Sequence, residues 1–207
     1  MQSQRLTETE DQKVNNDLFL ISLLTKLGKE LELRVIIAGG YAVDAALGKI
    51  SRYHNDIDAQ VYGKSINPIE TITTLLQKVA EQDSQFDNFV IEDKAQTEYY
   101  RNLYIKIGGT IADIYYLQTN KNPFESTKIL IKQDGTITEP HEYDTNNVTL
   151  NGISFEAQDP LTEVVDKIYK REHRGDEKKD KHQQDIENLK EIVSSENIDK
   201  ELKRHLG

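Results

Sequence analysis

Hydrophobic residues at helical spacing mark the first predicted element of the chain. Thr7 and Glu10 have the spacing of a capping box, so a helix is expected to begin near Thr7 or Thr9. An apolar stripe at intervals of three and four residues follows. Its members are Leu18, Phe19, Leu23, Leu24, Leu27 and Leu31. The pattern predicts one helix that covers a hydrophobic core.

A short uninterrupted apolar run then changes the periodicity. Val35–Ala38 is apolar throughout, which is typical of a strand buried on both faces. Gly39 and Gly40 interrupt the run, and Tyr41–Leu47 is predicted to be a short helix that ends at Gly48. This segment is therefore expected to fold as a strand, a glycine turn and a helix.

The middle of the chain alternates between strand-like and helix-like patterns. Ile57–Tyr62 predicts a second strand, and Ile69–Ser84 predicts a helix after Pro68. Two β-rich runs flank a two-glycine loop, which favours a β-hairpin. The runs are Glu98–Ile107 and Thr110–Leu117, and further hairpins are expected at Asp134-Gly135 and Asn151-Gly152.

The pattern becomes helical near the end of the chain. Asp159 is placed to cap a helix that has Pro160 in its first turn. We therefore predict an α/β (α+β) body over residues 1–155 and a small helical region over residues 156–207. Three lysines of this region are expected to lie on solvent-exposed helix faces, although they could reach phosphates. They are Lys167, Lys170 and Lys181.

Charge and composition narrow the class of protein. The 207 residues include 36 acidic and 26 basic side chains, for a net charge of −10. This balance argues against extended nucleic-acid binding and against binding to an anionic membrane, because both need clustered Lys and Arg. The absence of cysteine excludes disulfides, thiol nucleophiles and cysteine zinc sites. No apolar run approaches the ~20 residues of a membrane span, and the first residues lack the apolar core of a secretory signal. We expect a cytoplasmic protein, whose oligomeric state the sequence leaves open.

Two carboxylates at the head of the second strand are the first candidates for chemistry. Asp56 and Asp58 are two positions apart, so in a strand both project from one face, with Cα atoms roughly 6.5 Å apart. Such a pair suits Mg²⁺, which takes one or two carboxylates plus substrate phosphates. A solvated strand edge in an acidic chain would produce the same motif. The pair alone is weak evidence for a metal site.

The glycines upstream strengthen the interpretation. Gly39 and Gly40 follow a buried strand and precede a helix, where backbone N–H groups can approach a phosphate closely. A plain tight turn would explain the two glycines by themselves. Phosphate-binding glycines and metal-binding carboxylates in one short segment together predict a nucleotide site.

A third carboxylate lies in a later strand. Asp113 is flanked by Ala112 and Ile114, where an unpaired charge would be costly. A neighbouring strand could place Asp113 beside Asp56 and Asp58, since adjacent strands lie about 4.8 Å apart. Alternatively, the strand is at an edge and Asp113 faces water. Three carboxylates on two strands make a site for two Mg²⁺ ions plausible.

The segments Gly39-Gly40-Tyr41-Ala42-Val43-Asp44 and Arg52-Tyr53-His54-Asn55-Asp56-Ile57-Asp58 resemble the antibiotic nucleotidyltransferases of the lincosamide and aminoglycoside 2″-O type. These enzymes belong to the polymerase-β-like nucleotidyltransferase superfamily. Further along, Lys181-His182-Gln183-Gln184-Asp185 is similar to a Lys-Asp-x-x-Asp pattern of such proteins, with His182 in place of the first Asp. The resemblance implies a mixed sheet flanked by helices, with a small helical region at the C-terminus.

The resemblance also implies roles for the site residues. Asp56 and Asp58 would ligate Mg²⁺, and Gly39 and Gly40 would line the triphosphate. Asp113 would be the third carboxylate, acting either as a metal ligand or as the base for the acceptor hydroxyl. Asp93 and Asp87 are alternatives for this third position, although neither lies in so apolar a strand. The implied reaction moves a nucleoside monophosphate, AMP from ATP, to a hydroxyl of a small molecule and releases pyrophosphate. An aminoglycoside or lincosamide antibiotic is the implied acceptor, and Glu92, Asp93 and Glu98 are candidates for lining an acidic cleft that recruits it.

Three further residues of the two motifs, Arg52, His54 and Asp44, have two interpretations each. Arg52 could contact phosphate oxygens with its planar guanidinium, and His54 could orient the loop or bind substrate. Either could instead only hold the turn. Asp44 is expected to fix the glycine turn or to pair with Arg52.

Other functional classes remain open at this stage. One is a catalytically inactive nucleotide-binding or adaptor module of the same fold. Another is a metal-dependent hydrolase built on His54, Asp56 and Asp58, which would need further His ligands at suitable spacing. A third is a toxin-like nucleotidyltransferase that modifies a protein side chain.

Overall fold

Six α-helices, one 3₁₀ helix (Ser84–Phe86) and nine strands form the part of the chain that the computed structural model describes, namely residues 7–96, 100–119, 130–131, 137–138, 145–173 and 179–206. The helices are α1 (Glu8–Glu30), α2 (Gly39–Leu47), α3 (Pro68–Gln82), α4 (Pro160–His173), α5 (Lys179–Lys190) and α6 (Ser195–Leu206). The strands are β1 (Arg34–Ala38), β2 (Ile57–Gly63), β3 (Phe89–Gln96), β4 (Tyr100–Ile107), β5 (Thr110–Gln118), β6 (Leu130–Ile131), β7 (Ile137–Thr138), β8 (Thr145–Leu150) and β9 (Ile153–Gln158).

Seven of the strands form one mixed sheet in the order β3-β4-β5-β2-β1-β9-β8. The pairs β2–β5 and β1–β9 are parallel, whereas the other neighbours in the sheet are antiparallel. The short strands β6 and β7 pair only with each other. The mixed sheet with flanking helices confirms the predicted fold class. Its centre is β2, which lies between β1 and β5 and carries the Asp motif.

The first helix begins as its sequence predicts. Thr7 is the N-cap, its side chain accepts from the Glu10 N–H, and the Glu10 side chain accepts in return from the Thr7 N–H at 2.8 Å. One face of α1 is buried against the sheet and α3 in the main hydrophobic cluster, which includes Leu24, Leu75 and Ile114. This cluster anchors β1, β2 and β5, the three strands that carry the site.

The C-terminal helices have a hydrophobic cluster of their own. It joins Val164 and Val165 of α4 to Leu189 of α5 and Ile198 of α6, and it includes Val43 of α2. The helical tail therefore packs directly on the helix that follows the two glycines. Strand β9 continues to Gln158, so the division predicted near residue 156 falls inside a strand, and the two-domain description stays a prediction.

Several local predictions are confirmed and several need correction. The Gly108-Gly109 and Asn151-Gly152 hairpins form as expected, while Asp134-Gly135 lies outside the described residues. Helix α2 begins at Gly39 rather than Tyr41, so both glycines belong to its first turn. Strand β3 was not predicted, because Glu92-Asp93-Lys94 interrupts its apolar pattern and a bulge follows Asp93. Among the described helices, none has the length and apolarity that crossing a membrane requires.

Candidate active site

The sheet places Asp58 of β2 directly opposite Asp113 of β5. Because paired positions on neighbouring strands point to the same side, both carboxylates belong to one face of the sheet. Asp56 lies just before β2, two positions from Asp58, and all three residues are partly buried. The structure therefore brings together Asp58 and Asp113, which are distant in the sequence. The sequence allowed this arrangement if the strand of Asp113 were a neighbour of β2, and β5 is that neighbour.

The donor chemistry of this group fits Mg²⁺ bound together with a phosphate. Within the described ranges, no three His, Asp or Glu side chains are grouped closely enough to hold a metal ion by themselves. Mg²⁺ commonly binds one or two protein carboxylates and completes its shell with waters and substrate phosphates. Asp56, Asp58 and Asp113 are all oxygen donors, as Mg²⁺ prefers. Their role as metal ligands remains a prediction.

Gly39 is a glycine because Asp58 lies against it. A Cβ at position 39 would stand 2.0 Å from Asp58 Oδ2, and Gly39 has a left-handed φ of +66°. Both facts disfavour any other residue, since a side chain would collide with the carboxylate and strain the backbone. The Gly39 N–H donates to Glu163 Oε1 at 2.7 Å. The close approach at Gly39 therefore involves a carboxylate of the site as well as any phosphate.

Gly40 makes room for His54 in the same way. A Cβ at position 40 would stand 2.1 Å from His54 Nδ1. The other ring nitrogen, Nε2, lies 2.6 Å from Asp44 Oδ2, and both side chains are buried. Asp44 also accepts from the Ser51 N–H at 2.9 Å. Asp44 thus fixes the loop before the Asp motif, rather than the glycine turn as predicted, and His54 orients that loop from within the protein.

Arg52 is held by a carboxylate from the C-terminal helices. Its guanidinium donates from Nε and NH2 to the two oxygens of Asp185, at 2.9 and 2.8 Å. Burial raises the pKa of Asp185, but the hydrogen bonds from Arg52 and the charge of Lys167 outweigh this effect and hold that pKa below its ordinary value. Arg52 therefore pairs with Asp185, which excludes the predicted alternative of a pair with Asp44. Phosphate binding by Arg52 stays a prediction.

Lys167 is buried, contrary to the prediction from the sequence. The sequence interpretation placed it on a solvent-exposed helix face, yet it is only 4% exposed. Its Nζ lies 3.0 Å from Asp185 Oδ2 and 3.7 Å from Glu163 Oε2. Lys181 is partly buried, and the side chain of Lys170 lies outside the described residues. Neither Lys167 nor Glu163 has a local sequence signal beyond their spacing of four residues on one helix.

Asp17, a buried carboxylate that no sequence pattern predicted, binds residues of α2 and β5. Asp17 is fully buried and accepts from Tyr41 OH and from Thr110 Oγ1, each at 2.7 Å. Lys13 forms an ion pair with Asp17 and also donates to the His54 carbonyl at 3.2 Å. Burial and the charge of Asp17 raise the pKa of Tyr41, which stays a hydrogen-bond donor. The only sequence signal for Asp17 was its position as a charged residue next to the apolar stripe of α1.

Two of the acidic residues proposed for the acceptor cleft, Glu92 and Asp93, form ion pairs with basic side chains. Glu92 forms ion pairs with Lys94 and with Lys106, the second at 3.5 Å. Asp93 pairs with Arg101, and Glu98 lies outside the described residues. Glu92 and Asp93 therefore offer less net negative charge than the sequence suggests, and their acceptor role stays a prediction.

The mixed sheet, with Asp58 opposite Asp113 beside a helix that begins with two glycines, is the arrangement that the resemblance to nucleotidyltransferases implied. The sequence profile of the aminoglycoside-2″-adenylyltransferase family matches residues 20–189, and the chain belongs to that family. It is accordingly an enzyme of the nucleotidyltransferase type. Comparison with curated proteins gives no match.

Solved structures share this fold at low sequence identity. The antibiotic-resistance factor ANT(2″)-Ia, in complex with adenylyl-2″-tobramycin, superimposes with a TM-score of 0.62 at 16% identity, over 93% of this chain and 99% of that one. The lincosamide antibiotic adenylyltransferase LnuA, with lincomycin bound, gives a TM-score of 0.52 at 17% identity, over 92% of this chain and 100% of that one. Each match covers more than nine tenths of this chain.

Proposed function

We propose that the protein transfers AMP from ATP to a hydroxyl of a small molecule and releases pyrophosphate, with Mg²⁺ as its cofactor. The observation that carries this proposal is the register of Asp58 against Asp113, beside a glycine that packs on the Asp58 carboxylate. Membership of an adenylyltransferase family supports AMP as the transferred group. An aminoglycoside or lincosamide antibiotic is the proposed acceptor, because the related structures hold adenylyl-2″-tobramycin and lincomycin.

Asp56 and Asp58 would hold Mg²⁺, with Asp113 as a third ligand if two ions bind. The bound ions would neutralise phosphate charge and make the acceptor hydroxyl easier to deprotonate. Gly40 and the first turn of α2 would bind phosphate oxygens through backbone N–H groups, where the helix dipole favours an anion. In this proposal the protein supplies carboxylates from β2 and β5 and an anion-binding N-terminus from α2.

The proposed reaction needs one proton acceptor. The acceptor oxygen forms a bond to the α-phosphorus, and the bond from this phosphorus to the bridging oxygen breaks, so pyrophosphate leaves with the electron pair. Asp113 would take the hydroxyl proton, and its position opposite Asp58 on the same face of the sheet supports this role. Positioning and charge stabilisation would supply most of the rate. The net charge of −10 still disfavours an extended nucleic acid as acceptor.

The experiment is transfer of label from nucleotides labelled at the α-phosphate. The purified chain is incubated with Mg²⁺, each of the four nucleotides in turn, and a panel of aminoglycosides, lincosamides and proteins, and both pyrophosphate and labelled product are measured. We expect label from ATP on an antibiotic, loss of the signal with a chelator, and its return with added Mg²⁺. Label only on protein would favour the toxin-like class, and no transfer by the folded chain would contradict the proposal.

A paired variant tests the site itself. We expect Asp58→Asn to lower the transfer rate by about a hundredfold or more, since it removes a charge placed against the reacting phosphates. Asp199→Asn changes an exposed acid on α6 and serves as the matched control, with a rate equal to that of the native chain. Transfer by Asp58→Asn at the native rate would remove Asp58 from the site.

A further inference from the structure

A series of buried charged side chains links the C-terminal helices to two points, Gly39 and Arg52, of the segment that carries the candidate site. It consists of Glu163 and Lys167 on α4 and Asp185 on α5, and we call it the α4–α5 ion chain. These residues are exposed by 1%, 4% and 0%. At one end Glu163 Oε1 accepts from the Gly39 N–H at 2.7 Å, and at the other Asp185 binds Arg52 through two hydrogen bonds.

The α4–α5 ion chain is continuous from Glu163 to Asp185. Lys167 Nζ lies 3.7 Å from Glu163 Oε2 and 3.0 Å from Asp185 Oδ2. With Arg52 included, two acidic and two basic groups balance, so no net charge is buried. Taking ions out of water nevertheless carries a large desolvation cost, and apolar residues of similar size often stabilise a protein as well or better. Stability alone is therefore a weak explanation for the burial of the α4–α5 ion chain.

The positions of its two ends suggest a different role. Gly39 packs on the Asp58 carboxylate, so whatever fixes the Gly39 backbone also fixes the space that Asp58 occupies. Arg52 lies four residues before Asp56, and its NH1 also donates to the Tyr53 carbonyl at 3.1 Å. The α4–α5 ion chain therefore holds the backbone at two points close to the candidate metal ligands, at Gly39 and at Arg52.

We propose that Glu163, Lys167 and Asp185 are positioning residues of the active site, which hold Gly39 and Arg52 in the geometry that nucleotide transfer requires. The C-terminal helices contribute to catalysis through these residues without touching the reacting atoms. This inference rests on the proposed function for its kinetic consequences. Its structural part, that Glu163 holds the Gly39 amide, can be tested without any transfer reaction.

Two substitutions at one position separate positioning from stability. Glu163→Gln keeps a side-chain oxygen that can accept from the Gly39 N–H, whereas Glu163→Ala removes it, and both lose the charge facing Lys167. We expect both variants to melt at a lower temperature than the native chain. For the folded proteins we expect Glu163→Ala to lose about tenfold to a hundredfold in kcat/KM for the nucleotide, the range found for groups that orient active-site ligands. Glu163→Gln should recover most of that loss.

The matched control is Glu172→Gln, which changes an exposed acid on the same helix. Its melting temperature and kcat/KM should equal those of the native chain. Equal kcat/KM for Glu163→Ala and Glu163→Gln, both measured below their melting temperatures, would overturn the proposal. Native kcat/KM in Glu163→Ala would do the same.

Hydrogen exchange supplies the readout that does not depend on activity. Exchange of the Gly39 amide, followed by NMR or by mass spectrometry on a peptide that spans α2, should be faster in Glu163→Ala than in the native chain and close to native in Glu163→Gln. Unchanged exchange in Glu163→Ala would show that Glu163 does not hold Gly39. If Glu163→Ala does not fold, Asp185→Asn takes its place for the kinetics, and native kcat/KM in Asp185→Asn would also overturn the proposal.

The same design distinguishes failure of the inference from failure of the proposed function. If the native chain transfers label to none of the acceptors, the proposed function fails, while the exchange experiment still tests the contact between Glu163 and Gly39. If the native chain is active and the Glu163 variants behave alike, only the inference fails.

Discussion

Asp58 and Asp113 occupy opposed positions on the parallel strands β2 and β5. The register continues on both sides, because Ala38 of β1 pairs with Asp58 and Tyr104 of β4 pairs with Asp113. A slip of one residue between β2 and β5 would turn one carboxylate to the opposite face of the sheet. Buried residues on the other face, such as Ile57 and Ala112, oppose such a slip. The hydrophobic core thus fixes the relation between the two carboxylates.

This relation predicts different defects for the two residues. If Asp113 is the base and Asp58 a metal ligand, Asp113→Asn should bind Mg²⁺ and ATP with near-native affinity and lose transfer by about a hundredfold, within the range for a general base. Asp58→Asn should lose both binding and transfer. Titration calorimetry with Mg²⁺ and a non-hydrolysable ATP analogue measures the first property. Equal loss of binding in both variants would instead make Asp113 a metal ligand.

Gly39 and Gly48 provide a matched pair for testing the close approach to Asp58. Both have a left-handed φ, +66° and +68°, but a Cβ at Gly39 would meet Asp58 whereas one at Gly48 meets nothing within 4 Å. Replacing either by Ala should cost about 1–2 kcal/mol for the backbone conformation. Only Gly39→Ala should also abolish nucleotide binding and transfer. The measurements are urea unfolding and the transfer rate, and equal activity of the two variants would contradict the site geometry.

The hydrogen bonds to Asp17 predict a stability effect away from the reacting groups. Tyr41→Phe and Thr110→Val each remove one 2.7 Å hydrogen bond to this buried carboxylate. We expect each variant to lose about 1.5–3 kcal/mol in the free energy of unfolding, the range for a hydrogen bond to a charged group. Tyr104→Phe, at a half-buried position of β4, is the control and should lose less than about 0.5 kcal/mol. A loss for Tyr41→Phe no larger than the control would contradict the network.

The pKa of Asp185 predicts a pH dependence of stability. Arg52 and Lys167 hold this pKa below the ordinary value of 3.8 despite burial, so the unfolded chain binds the proton more tightly than the folded one. The stability that Asp185 contributes is therefore fully present above about pH 4–5 and is lost as the pH falls through the folded-state pKa. Asp185→Asn should be less stable than the native chain by about 3–5 kcal/mol at neutral pH, because it leaves Arg52 and Lys167 without their partner.

The measurement is urea unfolding of both proteins from about pH 7 to about pH 3. The difference in free energy of unfolding between them should shrink as the pH falls below the ordinary value of 3.8. Other carboxylates also contribute to the pH dependence, such as Glu156, whose pKa, despite burial, is lowered by the hydrogen bond from Arg34, but they are common to both proteins and cancel in the difference. A difference that stays constant across the range would contradict the charged pair.

Local sequence signals predicted the elements around the site because those signals act between near neighbours. The capping box at Thr7, the apolar strand β1 and the positions of Asp56 and Asp58 follow from contacts or periodicities within a few residues. The main local error was the start of α2. Glycine is read as a helix breaker, yet here the two glycines form the first helical turn because Asp58 and His54 need the space.

Contacts between distant segments decided the rest, and no local pattern predicts them. Arg52 and Asp185 are 133 positions apart, and Gly39 and Glu163 are 124 apart. Lys167 was expected in solvent because a lysine on a helix normally lies there, and only the approach of α5 supplies the acid that buries it. The sequence by itself therefore determined the class of the fold and the motif that carries the candidate chemistry. The tertiary structure decided which third carboxylate faces that motif and which buried ions hold it in place, since strand register and helix packing bring together side chains that local interactions cannot join.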